Sequence, residues 1–336
     1  MWTDPPPSPS PRAYPGAGPS QSQAEARSST PKIPNPISQL QSHSPCFANL
    51  PPHHPPQHHP AANMSLFTVP VPPCGAHPGG SITATQPQPQ VYLLTFVSPP
   101  DNRLTTALCR ALLQALDILE FGGYTPGVVV TTSGIPKFYS NGLDLEHAIN
   151  TDGFWQLFFD LWTRLLTYPM PTVALLNGHT FAGGLMLAQA HDYRLAPDPK
   201  GFLCLNEVLF GAPLKPPMAA IFRHRLAPQA YRTVALEGRR FTGQQAVEYG
   251  LADATAASLD DALRFIDERQ LTEKAKAGVY GVIKTELHKD LLRELRKEGV
   301  DREEARFNED QRREGERKEF GKVWFEQWSK ENKSKL

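Results

Sequence analysis

At 336 residues, with 34 Lys and Arg matched by 34 Asp and Glu, the chain carries no formal net charge. It therefore has no global electrostatic footprint for nucleic acid or an anionic membrane surface, and a small anionic ligand would need a local basic pocket. No apolar stretch approaches the length of a membrane span, and the first residues lack the basic start and apolar run of a secretory signal, so a soluble protein outside that route is expected. Cys46, Cys74, Cys109 and Cys204 lack metal-type spacing and read as free thiols in a reducing compartment.

The 34 prolines crowd before Gln90, and residues 1–77 are rich in Pro, Ser, Gln and His with few large apolar side chains. Such an arm buries too little surface to offset the entropy of ordering and is expected to be disordered. Its His53, His54, His58 and His59 are interrupted by proline and have no carboxylate or cysteine partner, so they read as low complexity and no metal site is assigned. Globular character begins soon after Met64, and a protein starting there is expected to be fully active. Residues 78–270 form the expected α/β core, 271–333 a charged helical region, and 334–336 a terminal tripeptide.

Within the core, Ile82–Thr85 and Val91–Phe96 read as a strand hairpin. Leucines from Leu104 to Leu116 lie at helical spacing, predicting a helix from Thr105 to about Phe121. The run Gly127–Thr132, with three consecutive valines, reads as a strand buried on both faces, which implies a parallel crossover. Lys137 to Glu146 then makes a glycine turn opening toward a helix, and a further helix is predicted around Phe154–Leu166. Thr172–Leu176 is a strand that feeds straight into Asn177-Gly-His-Thr-Phe-Ala-Gly-Gly184, read as strand, glycine turn, helix. Two glycine turns after strands gather at one end of an α/β sheet, where ligands bind. Gly183 and Gly184 remove Cβ atoms beside unpaired helix N–H donors; close packing of helix on strand is the alternative reading.

His191–Leu195 and Gly201–Asn206 read as further strands, and Glu207 follows in an apolar setting of Leu203, Leu205, Val208, Leu209 and Phe210. Burial there would raise its carboxyl toward neutrality and make it a usable base; a salt-bridged or capping glutamate is the competing reading. Pro213, Pro216 and Pro217 break the chain before a helix carrying Arg223, His224 and Arg225. Thr242 with Gln245 makes a capping box, and Gly250 stops the helix that follows. From about Leu271 to Trp328 the chain is helical and charged, and Gly299, Gly315 and Gly321 suggest several helices.

These residues resemble the crotonase superfamily, the enoyl-CoA hydratase and isomerase group, over roughly Pro70 to Val282. Phe138-Tyr-Ser-Asn-Gly-Leu-Asp-Leu145 is similar to the family's first oxyanion-hole loop, and Asn177–Gly184 to the second. Asp192-Tyr-Arg-Leu195 and Gly243–Asp253 resemble two later segments. The resemblance implies a crotonase-like spiral of ββα units with a C-terminal helical region. It also implies an acyl-CoA thioester substrate, no cofactor because CoA is part of the substrate, and a homotrimer or homohexamer. The thioester oxygen would accept backbone N–H bonds from Leu143 and Gly183, with Asn141, Gly142, Phe181, Gly184, Met186 and Phe210 around the substrate.

Two glutamates distinguish the family's hydratases; the first would fall at Met186, which moves no proton, and the second matches Glu207. One carboxylate suits a 3-enoyl-CoA to 2-enoyl-CoA isomerase, with Glu207 carrying a proton from C2 to C4, and Leu205-Asn-Glu207 is similar to that branch. Two alternatives stay open: a hydratase or dienoyl-CoA isomerase drawing a second acid from Asp144 or Glu146, and a non-catalytic acyl-CoA-binding protein. Glu146 stands where some relatives carry a basic residue, so no CoA phosphate contacts transfer. Ser334-Lys335-Leu336 is the tripeptide read by the peroxisomal import receptor, giving a peroxisomal address in keeping with fatty-acid β-oxidation.

Overall fold

The apolar runs of the sequence become the middle of a seven-stranded sheet in the computed structural model, which describes residues 65–332. In chain order, β1 (Ser65–Val71), β2 (Gly80–Gln88) and β3 (Val91–Val97) form an antiparallel meander. Helix α1 (Thr106–Phe121) follows, capped by the Thr105 hydroxyl, which accepts from Leu108 N–H. Next come β4 (Val128–Ser133), β5 (Phe138–Ser140), α2 (Leu145–Asn150) and α3 (Phe154–Thr167), then β6 (Thr172–Leu175), β7 (His179–Phe181) and α4 (Gly183–Gln189). A third unit is β8 (Tyr193–Pro197), β9 (Leu203–Cys204) and α5 (Glu207–Phe210). The chain continues through α6 (Pro216–Arg225), α7 (Pro228–Glu237), α8 (Gly243–Glu248), β10 (Ala254–Ala256) and α9 (Leu259–Glu268). It ends in α10 (Leu271–Lys274), α11 (Tyr280–Leu287), α12 (Lys289–Leu295) and α13 (Lys297–Glu331).

The large sheet runs β1-β2-β3-β4-β6-β8-β10, antiparallel at the first strands and parallel from β3 onward. A second sheet, β5-β7-β9, is parallel throughout. Each of its strands directly follows a strand of the large sheet and precedes a helix, so the chain spirals through successive ββα units. Val128, Val129 and Val130 are fully buried because helices cover both faces of the large sheet. On the main face, α3 inserts Phe154, Phe158, Phe159 and Trp162, all buried. Each phenylalanine removed from water there contributes about 1.5–3 kcal/mol.

Several boundaries differ from the sequence reading. The expected arm of residues 1–77 ends in an ordered strand, since β1 hydrogen-bonds to β2 and buries Val69 and Val71; residues 1–64, with their histidines and Cys46, lie outside the described residues. The stretch between β6 and α4 is more than a turn: His179–Phe181 pairs with both neighbours in the small sheet. The strand expected at His191–Leu195 runs instead over Tyr193–Pro197, and His191 is a buried turn residue. Pro216 and Pro217 start α6 rather than precede it, because the first helical turn needs neither of their missing N–H donors. Gly250 does sit in the left-handed region, at φ +73°, after the Thr242–Gln245 capping box.

No physical boundary falls at 270/271. Lys284 of α11 is buried and bonds both Asp192 (2.9 Å) and the Leu165 carbonyl (2.7 Å), while Leu291, Leu292 and Leu295 of α12 join the main core. Helix α13 passes uninterrupted through Gly299, Gly315 and Gly321. Gly299 is required by packing, since a Cβ would lie 2.1 Å from the Arg293 carbonyl oxygen. Nothing lies within 4 Å of a Cβ at Gly315 or Gly321. The helix carries them because ion pairs three and four residues apart, such as Arg306–Asp310 and Arg313–Glu309, stabilise it along its length.

Candidate active site

Three neighbouring parallel strands of the small sheet all end at the same edge, and a functional element follows each. Asn141–Leu143 leaves β5, Ala182–Gly183 leaves β7, and Leu205–Glu207 leaves β9. Residues far apart in the chain therefore meet in one cavity of about 480 Å³, which is lined by Leu143, Gly183 and Glu207 together.

Hydrogen bonds on the far side of each peptide aim the two N–H groups. The Leu104 N–H donates to the Gly142 carbonyl at 2.8 Å, and in a trans peptide the N–H of Leu143 points the opposite way. Gly142 has φ +86°, and a Cβ there would lie 3.0 Å from both Ala182 Cβ and the Phe181 oxygen, so glycine is needed for this turn. In the second loop the Ala182 carbonyl accepts Met186 N–H at 3.1 Å, which directs Gly183 N–H out of the start of α4. Ala182 itself sits at φ +50°, an uncommon conformation for a residue with a side chain, and is held by its own N–H bond to Cys204 oxygen at 2.9 Å. A Cβ on Gly183 would come within 3.4 Å of the Leu143 nitrogen, so the two donors share one small space. Among the described residues neither N–H has a protein acceptor.

Glu207 is the first residue of α5 and is 8% exposed. Burial pushes its carboxyl up to about 7, only partly opposed by its own backbone N–H. No cation pairs with it among the described residues, and Glu207 Oε2 and Asn206 Oδ1 are buried atoms without a hydrogen-bond partner. The apolar setting differs from the one expected: Val208, Leu209 and Phe210 are substantially exposed, and the burial comes from tertiary packing and the cavity wall.

The other sequence-predicted residues divide. Asn141 and Phe210 line the cavity, and the Asn141 amide donates to Asp101 at 2.6 Å. Gly142 shapes the turn without lining the cavity. Gly184 is a packing glycine whose Cβ would strike Ser140 at 2.7 Å, because β5 and α4 approach closely there. Met186 points into the main core and is fully buried, while Phe181 packs with Phe138 and His179 under Arg240, outside the cavity. Ser334, Lys335 and Leu336 lie outside the described residues.

Neither alternative acid reaches Glu207. Asp144 caps α2, where the His147 N–H (3.0 Å) and His77 Nε2 (2.9 Å) hold its carboxyl below its ordinary range. Glu146 is exposed, and neither residue lines the cavity. Lining residues missed in the sequence include Arg103, Ala182, Asn206, Trp155, Lys215 and Phe307. Arg103 donates to the Leu143 carbonyl at 2.9 Å, and Lys215 lies over the Trp155 ring and pairs with Glu304 of α13. Phe307 was detectable only as a lone aromatic in a charged run. Two convergent N–H donors beside a buried carboxylate that titrates near neutrality can stabilise a developing oxyanion and move a proton on the adjacent carbon. Among the described residues no cluster of His, Cys, Asp and Glu is arranged to hold a metal ion, and Cys74, Cys109 and Cys204 are free.

Most of the chain is similar to known proteins. Residues 86–328 match the Enoyl-CoA hydratase/isomerase family, so the chain belongs to that family. Enoyl-CoA delta isomerase 3 of Arabidopsis thaliana is 30% identical over 216 residues, covering 60% of this chain and 90% of its own. The peroxisomal enoyl-CoA delta isomerase 2 of the same plant is 28% identical over 216 residues, with the same coverage. The mitochondrial enoyl-CoA delta isomerase 1 of Homo sapiens is 32% identical over 173 residues, 48% of this chain and 56% of its own. Among solved structures, an apo enoyl-CoA isomerase of Mycobacterium tuberculosis superposes with a TM-score of 0.58 at 24% identity. It covers 67% of this chain and 97% of its own, which shows the shared crotonase fold.

Proposed function

We propose that the protein is a 3-enoyl-CoA to 2-enoyl-CoA isomerase of fatty-acid β-oxidation, with Glu207 as its only proton carrier. The observation that carries this reading is one unpaired carboxylate sharing a cavity with two convergent backbone N–H groups. The Leu143 and Gly183 N–H groups hold the thioester oxygen and strengthen their bonds as it becomes an enolate. The Glu207 carboxylate takes the proton from C2, and the electron pair of that C–H bond passes into the enolate. As the enolate collapses, C2=C3 forms, the former C3=C4 pair takes the same proton at C4, and Glu207 is again a carboxylate. No proton, electron or water is consumed, so a second acid and a cofactor are unnecessary.

The test is to mix the purified protein with a 3-enoyl-CoA and follow the ultraviolet absorbance of the conjugated 2-enoyl thioester. Conversion that a Glu207→Gln variant lacks is expected; equal rates in parent and variant would remove the assignment. Water addition to a 2-enoyl-CoA at a comparable rate would instead indicate hydratase chemistry, and tight thioester binding without turnover a non-catalytic binder. A peroxisomal location belongs to the same reading, supported by the peroxisomal name of one relative and by Ser334-Lys335-Leu336. Loss of peroxisomal import on removing that tripeptide is the expected result.

A further inference from the structure

Helix α13 leaves the core soon after it begins. Gly299 and Val300 are its buried residues, Glu304 pairs with Lys215, and Phe307 lines the first cavity. Beyond them local ion pairs support the helix as far as Lys322, which pairs with Glu319 at 2.7 Å. Among the described residues no ion pair follows, yet the next turns carry Val323, Trp324, Phe325 and Trp328, residues of lower helix propensity that need a packing partner. Phe320 is 73% and Trp324 55% exposed, and Trp328 stacks on Trp324 and Phe325 with ring centroids 6.5 and 5.9 Å away. Aromatic side chains bury about 150–250 Å² each, so the exposed parts of these four present roughly 400 Å² of apolar surface. That is as much as the largest patch on a typical monomer, and such a patch commonly marks an interaction site.

We propose that this face pairs with the same face of a second copy of the chain, the two helices running antiparallel about a two-fold axis at Trp324. The pattern of the stripe selects that occupant. Arg317, Phe320, Trp324, Trp328 and Glu331 share one side of the helix, and their spacings of three, four, four and three residues read the same in either direction. Turning one copy end over end therefore sets Trp324 on Trp324, Phe320 on Trp328 of the second copy, and Arg317 on its Glu331. Each unlike contact then occurs twice, as a closed two-fold interface requires, whereas a parallel pair would set Arg317 on Arg317 and Glu331 on Glu331. Burying roughly 400 Å² of aromatic surface from each copy, together with Val323 and the stems of Arg317 and Glu331, approaches the ~1,000 Å² at which specific interfaces begin. A lipid surface fits less well: between residues 316 and 331 four basic residues are balanced by four acidic ones, and helices that lie on anionic membranes carry a basic polar face. At about 1.5 Å per residue, Glu331 of the second copy stops about 15 Å short of Phe307, so pairing leaves the cavity lining undisturbed.

The experiment is sedimentation velocity of the full chain at micromolar concentration, compared with Trp324→Glu, Arg317→Glu, Glu331→Arg and the double variant Arg317→Glu/Glu331→Arg. Trp324→Glu is expected to have at most half the mass of the parent, whatever assembly the core itself forms. Each single charge reversal turns two attractive pairs into repulsive ones and should weaken association at least fivefold. The double variant should restore it, which also shows that the single variants fold. Mild oxidation should link two copies of Trp324→Cys at the axis and should not link Glu326→Cys, on the polar side of the helix. Equal masses for the parent and Trp324→Glu, or no restoration in the double variant, would overturn the proposal. So would a parent of single-copy mass that floats with phosphatidylcholine–phosphatidylserine vesicles and loses that binding in Trp324→Glu, since the face would then belong to a lipid surface.

Discussion

The carboxyl edge of the small sheet and helix α13 both contribute to the first cavity, yet different forces hold them. Leu143 and Gly183 are positioned by long-range bonds, Leu104 N–H to Gly142 oxygen and Ala182 N–H to Cys204 oxygen, in a buried setting with little room for a single added methyl group. Helix α13 is anchored through Val300 and Gly299 at its start and through the Lys215–Glu304 pair; beyond Phe307 it carries exposed local ion pairs as far as Lys322, and its last turns expose Phe320, Val323, Trp324, Phe325 and Trp328. Exposed pairs each contribute only a few tenths of a kcal/mol, so the outer helix is stable by repetition. Changes at the sheet edge should therefore be costly and specific, and changes along α13 small and local.

The largest effect is expected at Glu207. Glu207→Gln should lower kcat by about 10²–10⁴ while leaving thioester affinity nearly intact. In the parent only the ionised form accepts a proton, and burial has pushed the group up to about 7, so turnover should fall as pH drops through that value. Stability runs the other way. The folded state favours the protonated carboxyl, a contribution fully present below the ordinary glutamate value of ~4.3 and lost as pH rises through about 7. Glu207→Gln should thus resist denaturant better than the parent at pH 8 and not at pH 4; an equal gain at both would show that ionisation is not the cause.

Next in size is the fastening of the C-terminal helices. Lys284→Ala strands Asp192 in a buried site and is expected to cost about 3–5 kcal/mol in urea unfolding. A loss below 1 kcal/mol would mean that α11 is not part of the folded core. Gly142→Ala should reduce kcat about 10²–10³-fold by moving the Leu143 N–H, since the new Cβ meets Ala182 and Phe181. Steady-state kinetics beside unchanged thioester affinity would check it. At the small end, Gly315→Ala and Gly321→Ala should each stabilise the outer part of α13 by about 0.5–1 kcal/mol, seen as slower amide exchange there, with activity unchanged.

The sequence reading reached the first units well because they are periodic: three valines in a row and leucines at helical spacing are local signals. The ββα spiral came from family resemblance, and β7 escaped notice because three residues between two glycine turns carry too little pattern to mark a strand. The three glycines of α13 misled for the opposite reason, as helix propensity was outweighed by ion pairs at Arg306, Arg312 and Arg313 and, at Gly299, by packing. At the site, Leu143, Gly183 and Glu207 sit in recognisable motifs. Arg103, Lys215 and Phe307 do not, since they reach the cavity only through tertiary placement. The resemblance implies Phe181, in the second loop, and Met186, at the position of the hydratases' first glutamate, as substrate neighbours, but a strand step and a helix turn carry them to other faces.

The common end of β5, β7 and β9 also bears on how the chain can change length over evolutionary time. One inserted residue advances a strand by about 3.3 Å and turns its successor to the opposite face. The links Asn141–Gly142, Ala182 and Leu205–Asn206 have no slack to absorb that step, because each leads at once to a group that must meet the other two. The exposed stretch Asp198-Pro-Lys200, between β8 and β9 and outside the cavity lining, has no such partner to miss. Insertions and deletions that preserve chemistry should therefore be confined to such outer links, with the three short ones held to their present length.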